Sequence, residues 1–126
     1  MTNTPVNPPG TPASLAYSQG VLSEGSKVLH ISGQVGVGPD GKAGNGIAEQ
    51  CRFAWANLAA ALKAGGMEIG DLVKITSFLT KAGDIAAYRE TRGAALGSHK
   101  PASTLIVVSA LADPGWLVEI EGVAIR

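Results

Sequence analysis

The sequence predicts a single α+β domain in which two helices cover one face of a sheet of about five or six strands. The chain has 126 residues, the usual length of one domain and enough to bury a core without disulfides. Two segments carry apolar residues at helical spacing, and several short segments are rich in β-branched and aromatic residues. Two helices are too few to cover both faces of such a sheet.

The chain begins with a proline-rich arm over residues 1–14, with prolines at positions 5, 8, 9 and 12. Proline has no backbone N–H donor and restricts φ, so this arm is predicted to be extended and mobile at its tip. The whole chain, 1–126, is otherwise predicted to form one domain.

The segment KVLHISGQV, residues 27–35, is predicted to be a strand that ends in the turn sequence GVGPDGKAGNG. Residues 36–41 match the pattern G-x-G-x-x-G. A dinucleotide-binding site needs a helix to begin directly at these glycines, whereas Pro39-Asp40-Gly41 is typical of a tight turn. We therefore predict no dinucleotide cofactor here.

The first helix is predicted from about Ile47 to Ala64, because apolar residues recur there at spacings of three and four. Gly65-Gly66 is expected to end it, since glycine tolerates the left-handed conformation common after helices. Cys51 lies on the apolar stripe and is interpreted as a small buried residue rather than a catalytic thiol.

The second helix is predicted over residues 85–96, with Asp84 as its N-cap and with Ile85, Tyr88 and Leu96 facing inward. Three further strands are predicted from composition, and their sequences are DLVKITSFLT, STLIVVSAL and WLVEIEGVAIR.

The apolar run at residues 105–108 and the strand at 27–35 are both apolar on two faces. A single chain would therefore leave a large apolar surface in water, which soluble proteins avoid. The uncovered sheet face is predicted to meet another subunit.

Two glutamates interrupt the last strand. With a period of two, Trp116, Val118, Ile120, Gly122 and Ala124 share the face under the helices. Glu119 and Glu121 then lie on the predicted interface face, where a buried carboxylate is unfavourable unless it is paired. Each glutamate is either close to solvent at a rim or lies in an intersubunit cleft with a chemical role.

The composition argues against nucleic-acid or membrane binding. Ten basic and ten acidic residues cancel, 16% of residues are charged and 5% are aromatic. No stretch approaches the roughly 20 apolar residues of a membrane helix, and no signal peptide is evident. One cysteine and two histidines without a carboxylate cluster predict neither a disulfide nor a metal site. The expected location is a reducing cytoplasm.

Five motifs resemble one known family. They are AYSQGV, HISGQVGVGPDGK, GGMEIGDLVKITSFLTK, KPAST and VEIEGVAIR, and they span residues 17–126 approximately. The chain resembles the reactive intermediate deaminase family, also called Rid or YjgF and once described as L-PSP endoribonuclease.

The resemblance implies a chorismate-mutase-like α+β domain with a mixed sheet of about six strands. It also implies a homotrimer in which three sheets close a central barrel, with ligand clefts between neighbouring subunits. The best-known branch hydrolyses imines and enamines without a cofactor. By resemblance, Glu119 is the catalytic acid–base group, Tyr17 lies in the cleft, and the backbone near Ser32 and Gly33 borders the ligand.

One position departs from that branch. Its members have P-A-R, with the arginine gripping the substrate carboxylate, whereas this chain has Pro101-Ala102-Ser103. Leu105, two residues further on, stands where the family often has cysteine. Arg89 is a candidate substitute cation, although a solvent-facing arginine is the alternative. The resemblance therefore does not imply activity on standard 2-imino acids.

Three functions remain open from the sequence. The first is hydrolysis of a small reactive imine, enamine or related C–N compound. The second is a trimer that binds a small metabolite without chemistry, for which Glu119 would be dispensable. The third, RNA cleavage or translation inhibition, fits worst, because it calls for basic grooves and stacking aromatics.

Overall fold

The computed structural model describes residues 2–11 and 16–126. Within these ranges the chain has two α-helices, α1 (Ile47–Ala64) and α2 (Ile85–Leu96). It also has six strands, which are β1 (Thr2–Val6), β2 (Gly20–Glu24), β3 (Val28–Val35), β4 (Leu72–Leu79), β5 (Ala102–Val107) and β6 (Val118–Ile125). The α+β class predicted from the sequence is confirmed.

Four strands form a mixed sheet in the order β3-β6-β4-β5. Strands β4 and β5 are parallel, and the other neighbours are antiparallel. Strands β1 and β2 form a separate antiparallel pair. The described residues thus contain six strands, as expected, but in two sheets rather than one, because β2 makes its ladder hydrogen bonds with β1.

Part of the proline-rich arm is a paired strand, although no strand was predicted there. Thr2–Val6 are extended, as predicted, and they pair with Gly20–Glu24. The Asn3 side-chain amide also donates a hydrogen bond of 3.0 Å to the carbonyl oxygen of Ile125. These bonds attach residues 2–6 to the rest of the chain. Residues 1 and 12–14 of the predicted arm lie outside the described residues.

Both helices have the predicted bounds. Helix α1 buries the apolar stripe that includes Cys51 and Leu58, and Gly66 follows it with a φ of 73°. Helix α2 buries Tyr88 and Leu96, as expected. Asp84 is the N-cap residue of α2, as predicted, but its side chain makes no capping hydrogen bond. Its backbone is already helical and ends a short 3-10 turn.

The helices lie on one face of the four-stranded sheet. On β6, Val118, Ile120 and Ala124 are fully buried beneath them, as the period of two predicts. Glu119 and Glu121 alternate with these residues and point to the opposite face. In the described part of the chain, neither helix is long and apolar enough to cross a membrane.

The opposite face is open in the single chain and carries apolar side chains. Val28 at one edge of the sheet is 53% exposed, and Ile106 at the other edge is 40% exposed. Phe78 and Val123 lie between them and are half-buried. Exposed apolar residues distributed across a sheet face are typical of a subunit interface.

We predict that the protein is a trimer that buries this face. Sedimentation is expected to give a mass of about three 12.8 kDa chains. Ile106→Lys should dissociate the trimer, because it places a charge on the apolar face. Ala60→Lys, on the exposed side of α1, should not. A stable wild-type monomer at micromolar concentration would contradict the prediction.

Candidate active site

A cavity of about 390 Å³ opens where the edge strand β5 meets α2. Four of the residues selected from the sequence line it, and two further residues complete the lining. The lining residues are Ala16, Tyr17, Arg89, Arg92, Ser103 and Leu105. The fold therefore gathers residues that are more than 80 positions apart in the chain.

Strand β5 presents Ser103 and Leu105 on its helix-facing side. They pair in register with Ile75 and Ser77 of β4, both of which are fully buried under the helices. Because side chains alternate along a strand, Ser103 and Leu105 both point toward α2. Their place at the sheet edge leaves them half-exposed to the cavity.

Tyr17 is positioned by its neighbour Ser18. The Ser18 backbone N–H donates to the carbonyl of Pro101 at 3.2 Å, and its hydroxyl donates to the carbonyl of Lys100 at 2.6 Å. Ser18 also forms an isolated parallel bridge with Ala102. These bonds hold Tyr17 beside the start of β5, next to Ser103.

Helix α2 contributes Arg89 and Arg92, which differ strongly in burial. Arg89 is exposed at the rim, whereas the Arg92 side chain is 9% exposed. The Arg92 guanidinium carbon lies 5.6 Å from the centre of the Tyr88 ring, which is within cation–π distance. Arg89 is thus the peripheral cation of the cavity, and Arg92 is the buried one.

Tyr88 links this wall of the cavity to the core. Its ring stacks on Trp55 with centroids 6.4 Å apart, and its hydroxyl is hydrogen-bonded to Ser77 on β4. Burial raises the pKa of Tyr88, opposed in part by the hydrogen bond with Ser77 and by the positive charge of Arg92. Tyr88 therefore remains a neutral hydroxyl that fixes α2 to the sheet.

Sequence reasoning missed Arg92 as a cavity residue. The signal was present, because positions 85, 88, 92 and 96 follow the spacing of three and four that defines the inward stripe of α2. An arginine on such a stripe is easily assigned to solvent by its residue type alone. The place of Arg92 in the helical spacing of α2 indicates instead that it is buried.

Glu119, Ser32 and Gly33 lie together but on the other face of the sheet. Glu119 pairs in register with Val35 of β3, next to a bulge between Ile31 and Gln34. A Cβ atom added at Gly33 would overlap the Glu119 carboxyl group. The Glu119 carboxylate is therefore packed directly against the Gly33 backbone, an approach that glycine permits.

The single chain does not bring Glu119 next to Ser103. Glu119 pairs with Phe78 on β4, and Ser103 pairs with Ile75. Positions 75 and 78 are an odd number of residues apart, so their side chains point to opposite faces. Glu119 and Ser103 therefore lie on opposite faces of the sheet within one chain.

Two other features bear on the chemistry. Cys51 is fully buried, and burial raises the pKa of its thiol, which disfavours a reactive thiolate. The described residues contain no group of three or more His, Cys, Asp or Glu side chains suited to a metal ion. The candidate residues place a carboxylate on one sheet face, and hydroxyl and guanidinium groups on the other.

Comparison with known proteins identifies the class. Residues 9–126 match the family described as Endoribonuclease L-PSP. A human relative named "2-iminobutanoate/2-iminopropanoate deaminase" is 35% identical over 112 residues, covering 87% of this chain and 80% of the relative. The sequence and the fold together define a Rid-type α+β protein.

Solved structures agree with this assignment. YyfB from Yersinia pestis, described as a Rid-family protein of unknown function, has a TM-score of 0.91 at 29% identity over 100% of both chains. TdcF from E. coli, solved with bound serine, has a TM-score of 0.75 at 29% identity and covers 98% of this chain and 93% of its own. The chain belongs to the Endoribonuclease L-PSP family, as its motifs indicated.

We predict that Tyr88→Phe destabilises the protein by about 1–3 kcal/mol, because it leaves the buried Ser77 hydroxyl without its partner. Tyr17→Phe, at a half-exposed position, should change stability by less than about 0.5 kcal/mol. Urea unfolding at one fixed protein concentration measures both. Equal losses in the free energy of unfolding would show that the Tyr88–Ser77 hydrogen bond stabilises the protein no more than the hydroxyl of Tyr17 does.

Proposed function

We propose that this protein hydrolyses a small imine or enamine in a cleft formed between two subunits. The cavity that gathers Tyr17, Ser103, Leu105 and Arg89 is the observation that carries this proposal. Membership of the Endoribonuclease L-PSP family and the 35% identity to a named imine deaminase support the reaction class.

The proposed site combines two surfaces of the fold. One is the cavity at β5 and α2, and the other is the open sheet face that carries Glu119, Ser32 and Gly33. Within one chain the sheet separates them, so Glu119 reaches a ligand in the cavity only if it belongs to a neighbouring subunit. A trimer that packs the open face of one chain against the cavity edge of the next would meet this condition.

Glu119 is the acid–base group in this proposal. Water adds to the imine carbon and gives up a proton to the carboxylate, and the C=N double bond becomes a C–N single bond. Transfer of that proton to nitrogen gives a carbinolamine. The carboxylate then takes up the proton of the carbinolamine hydroxyl and passes it to nitrogen as the C–N bond breaks. The carbonyl product and ammonia leave, and the carboxylate is regenerated. Packing against the Gly33 backbone restricts where Glu119 can place its oxygens.

The substrate is proposed to differ from that of the relatives named for 2-iminobutanoate and 2-iminopropanoate. Ser103 offers one neutral hydroxyl where the arginine-bearing branch has a guanidinium. Charge-assisted hydrogen bonds contribute about 1.5–3 kcal/mol each, so this exchange removes much of the affinity for a carboxylate at β5. Leu105 makes the same wall more apolar.

A metabolite-binding trimer without catalysis is the second candidate. None of the six described residues that line the cavity carries a carboxylate, so the pocket of one described chain lacks the proposed carboxylate acid–base group. RNA cleavage, which the family description names, is the weakest candidate, because the chain has zero net charge and would release few counterions on RNA.

We predict different roles for the two glutamates of β6. Glu119→Gln should abolish ammonia release from any imine substrate while leaving the trimer and its melting temperature nearly unchanged. Glu121→Gln should instead lower stability by about 1–3 kcal/mol, if Glu121 gains a hydrogen-bonded partner on assembly. Activity, sedimentation and thermal melts of both variants check this. Large and equal destabilisation by both changes would make both glutamates structural and remove the proposed acid–base group.

We also predict slow hydrolysis of 2-iminobutanoate and 2-iminopropanoate, generated in situ by a dehydratase. The rate should be about tenfold or more below that of an arginine-bearing relative, consistent with the loss of one charge-assisted contact. Ser103→Arg should raise this rate, and Ser103→Ala is the matched control. A wild-type rate equal to that of the relative would refute the substrate proposal.

A further inference from the structure

Arg92 is a buried cation without an anionic partner in the described residues. Its side chain is 9% exposed, and its described contacts are with the ring and hydroxyl of Tyr88. No aspartate or glutamate within residues 2–11 and 16–126 forms an ion pair with it. The Tyr88 ring attracts the guanidinium but carries no net charge.

A lone buried charge is unfavourable, because removal from water is not repaid by an opposite charge. Arginines in protein interiors are for this reason almost always paired. Arg92 also lines the cavity, together with the hydroxyl-bearing residues Tyr17 and Ser103. The counter-charge that is missing within one chain can therefore come from an anion that enters this cavity, either a small molecule or the Glu119 carboxylate proposed to enter from a neighbouring subunit.

We propose that Arg92 binds the carboxylate of the ligand, taking over at α2 the anion recognition that Ser103 lacks at β5. The guanidinium supplies several N–H donors in one plane, which matches the two oxygens of a carboxylate. Tyr17 and Ser103 supply neutral hydroxyl groups from the opposite wall. Leu105 and Ala16 provide the apolar contact for the body of the ligand.

Arg92 is better placed for this role than Arg89, the cation considered from the sequence. Arg89 is exposed, so water screens its charge and competes for its donors. Arg92 is desolvated before the ligand arrives, and the Tyr88 ring, anchored to Trp55 and Ser77, limits its movement. A preorganised buried guanidinium discriminates a carboxylate from a neutral group more strongly.

This inference rests on the proposed site, but it concerns which residue binds the ligand carboxylate and not whether the imine is hydrolysed. A carboxylate held from α2 puts the rest of the ligand in a different position from one held at β5. The preferred substrate class is then a carboxylate-bearing imine or enamine with a spacing between acid and reacting carbon that differs from that of a 2-imino acid. A 2-oxo acid would still bind, although its imine would react slowly.

The test is the preference for a carboxylate over its neutral isostere. Binding of 2-oxobutanoate and of 2-oxobutanamide is measured by NMR titration of the full chain. Wild-type protein is expected to bind the acid about tenfold or more tightly, as one charge-assisted contact implies. Arg92→Met should abolish this preference, and Arg92→Lys should retain part of it. Arg52→Met, which removes an exposed arginine of α1 outside the cavity, should leave it unchanged.

Thermal melts separate ligand recognition from a structural role. Arg92→Met is expected to keep or raise the melting temperature without ligand, because it removes a buried charge that has no anionic partner within the described residues of its own chain. Wild-type protein that shows no acid preference, or no binding of either probe, overturns the proposal. So does an Arg92→Met variant that retains the preference, or one that loses it only through unfolding. Glu119→Gln should lose turnover but keep the preference, so the two proposals fail independently.

Discussion

In residues 2–11 and 16–126, helices cover the four-stranded sheet on one face only, and this asymmetry determines on which side each candidate site residue lies. Side chains alternate along each strand, so every strand divides its residues between a closed core and an open surface. On β6 this alternation buries Val118 and Ile120 and turns Glu119 to the open side. On β5 it directs Ser103 toward α2. The proposed acid–base group and the pocket thus lie on opposite sides of one sheet.

In the proposed trimer, this separation would give assembly a chemical role in addition to a structural one. Burial of Ile106, Val28 and their neighbours would stabilise the assembly through the hydrophobic effect. The same contact would also carry a carboxylate from one chain to the cavity of the next. An active site divided in this way is complete only in the assembled protein.

Tyr88 positions the wall of the cavity that α2 provides. Its hydroxyl contacts Ser77, its ring stacks on Trp55, and Arg92 lies over it. One side chain therefore joins α2 to both the sheet and α1, and it also fixes the direction from which a positive charge faces the cavity. In the proposed site, an arginine on α2 rather than on β5 would recognise an anion, without requiring a new fold.

Local sequence determined the bounds of both helices, the burial pattern of β6 and the family to which the chain belongs. These depend on periodicity, on glycine at helix ends and on motifs that are contiguous in the chain. The sequence also identified Tyr17, Arg89, Ser103 and Leu105, which the structure places around one cavity.

Only the tertiary structure decided how these residues combine. The pairing of β1 with β2 could not be predicted, because strand partners depend on contacts between distant segments rather than on local propensity. The opposite orientations of Glu119 and Ser103 depend on the register of both strands against β4, which no single segment contains. The spacing of the inward residues of α2 in the sequence indicated that Arg92 is buried. That its charge faces a cavity rather than a carboxylate depends on which side chains surround it, and the fold alone selects those neighbours.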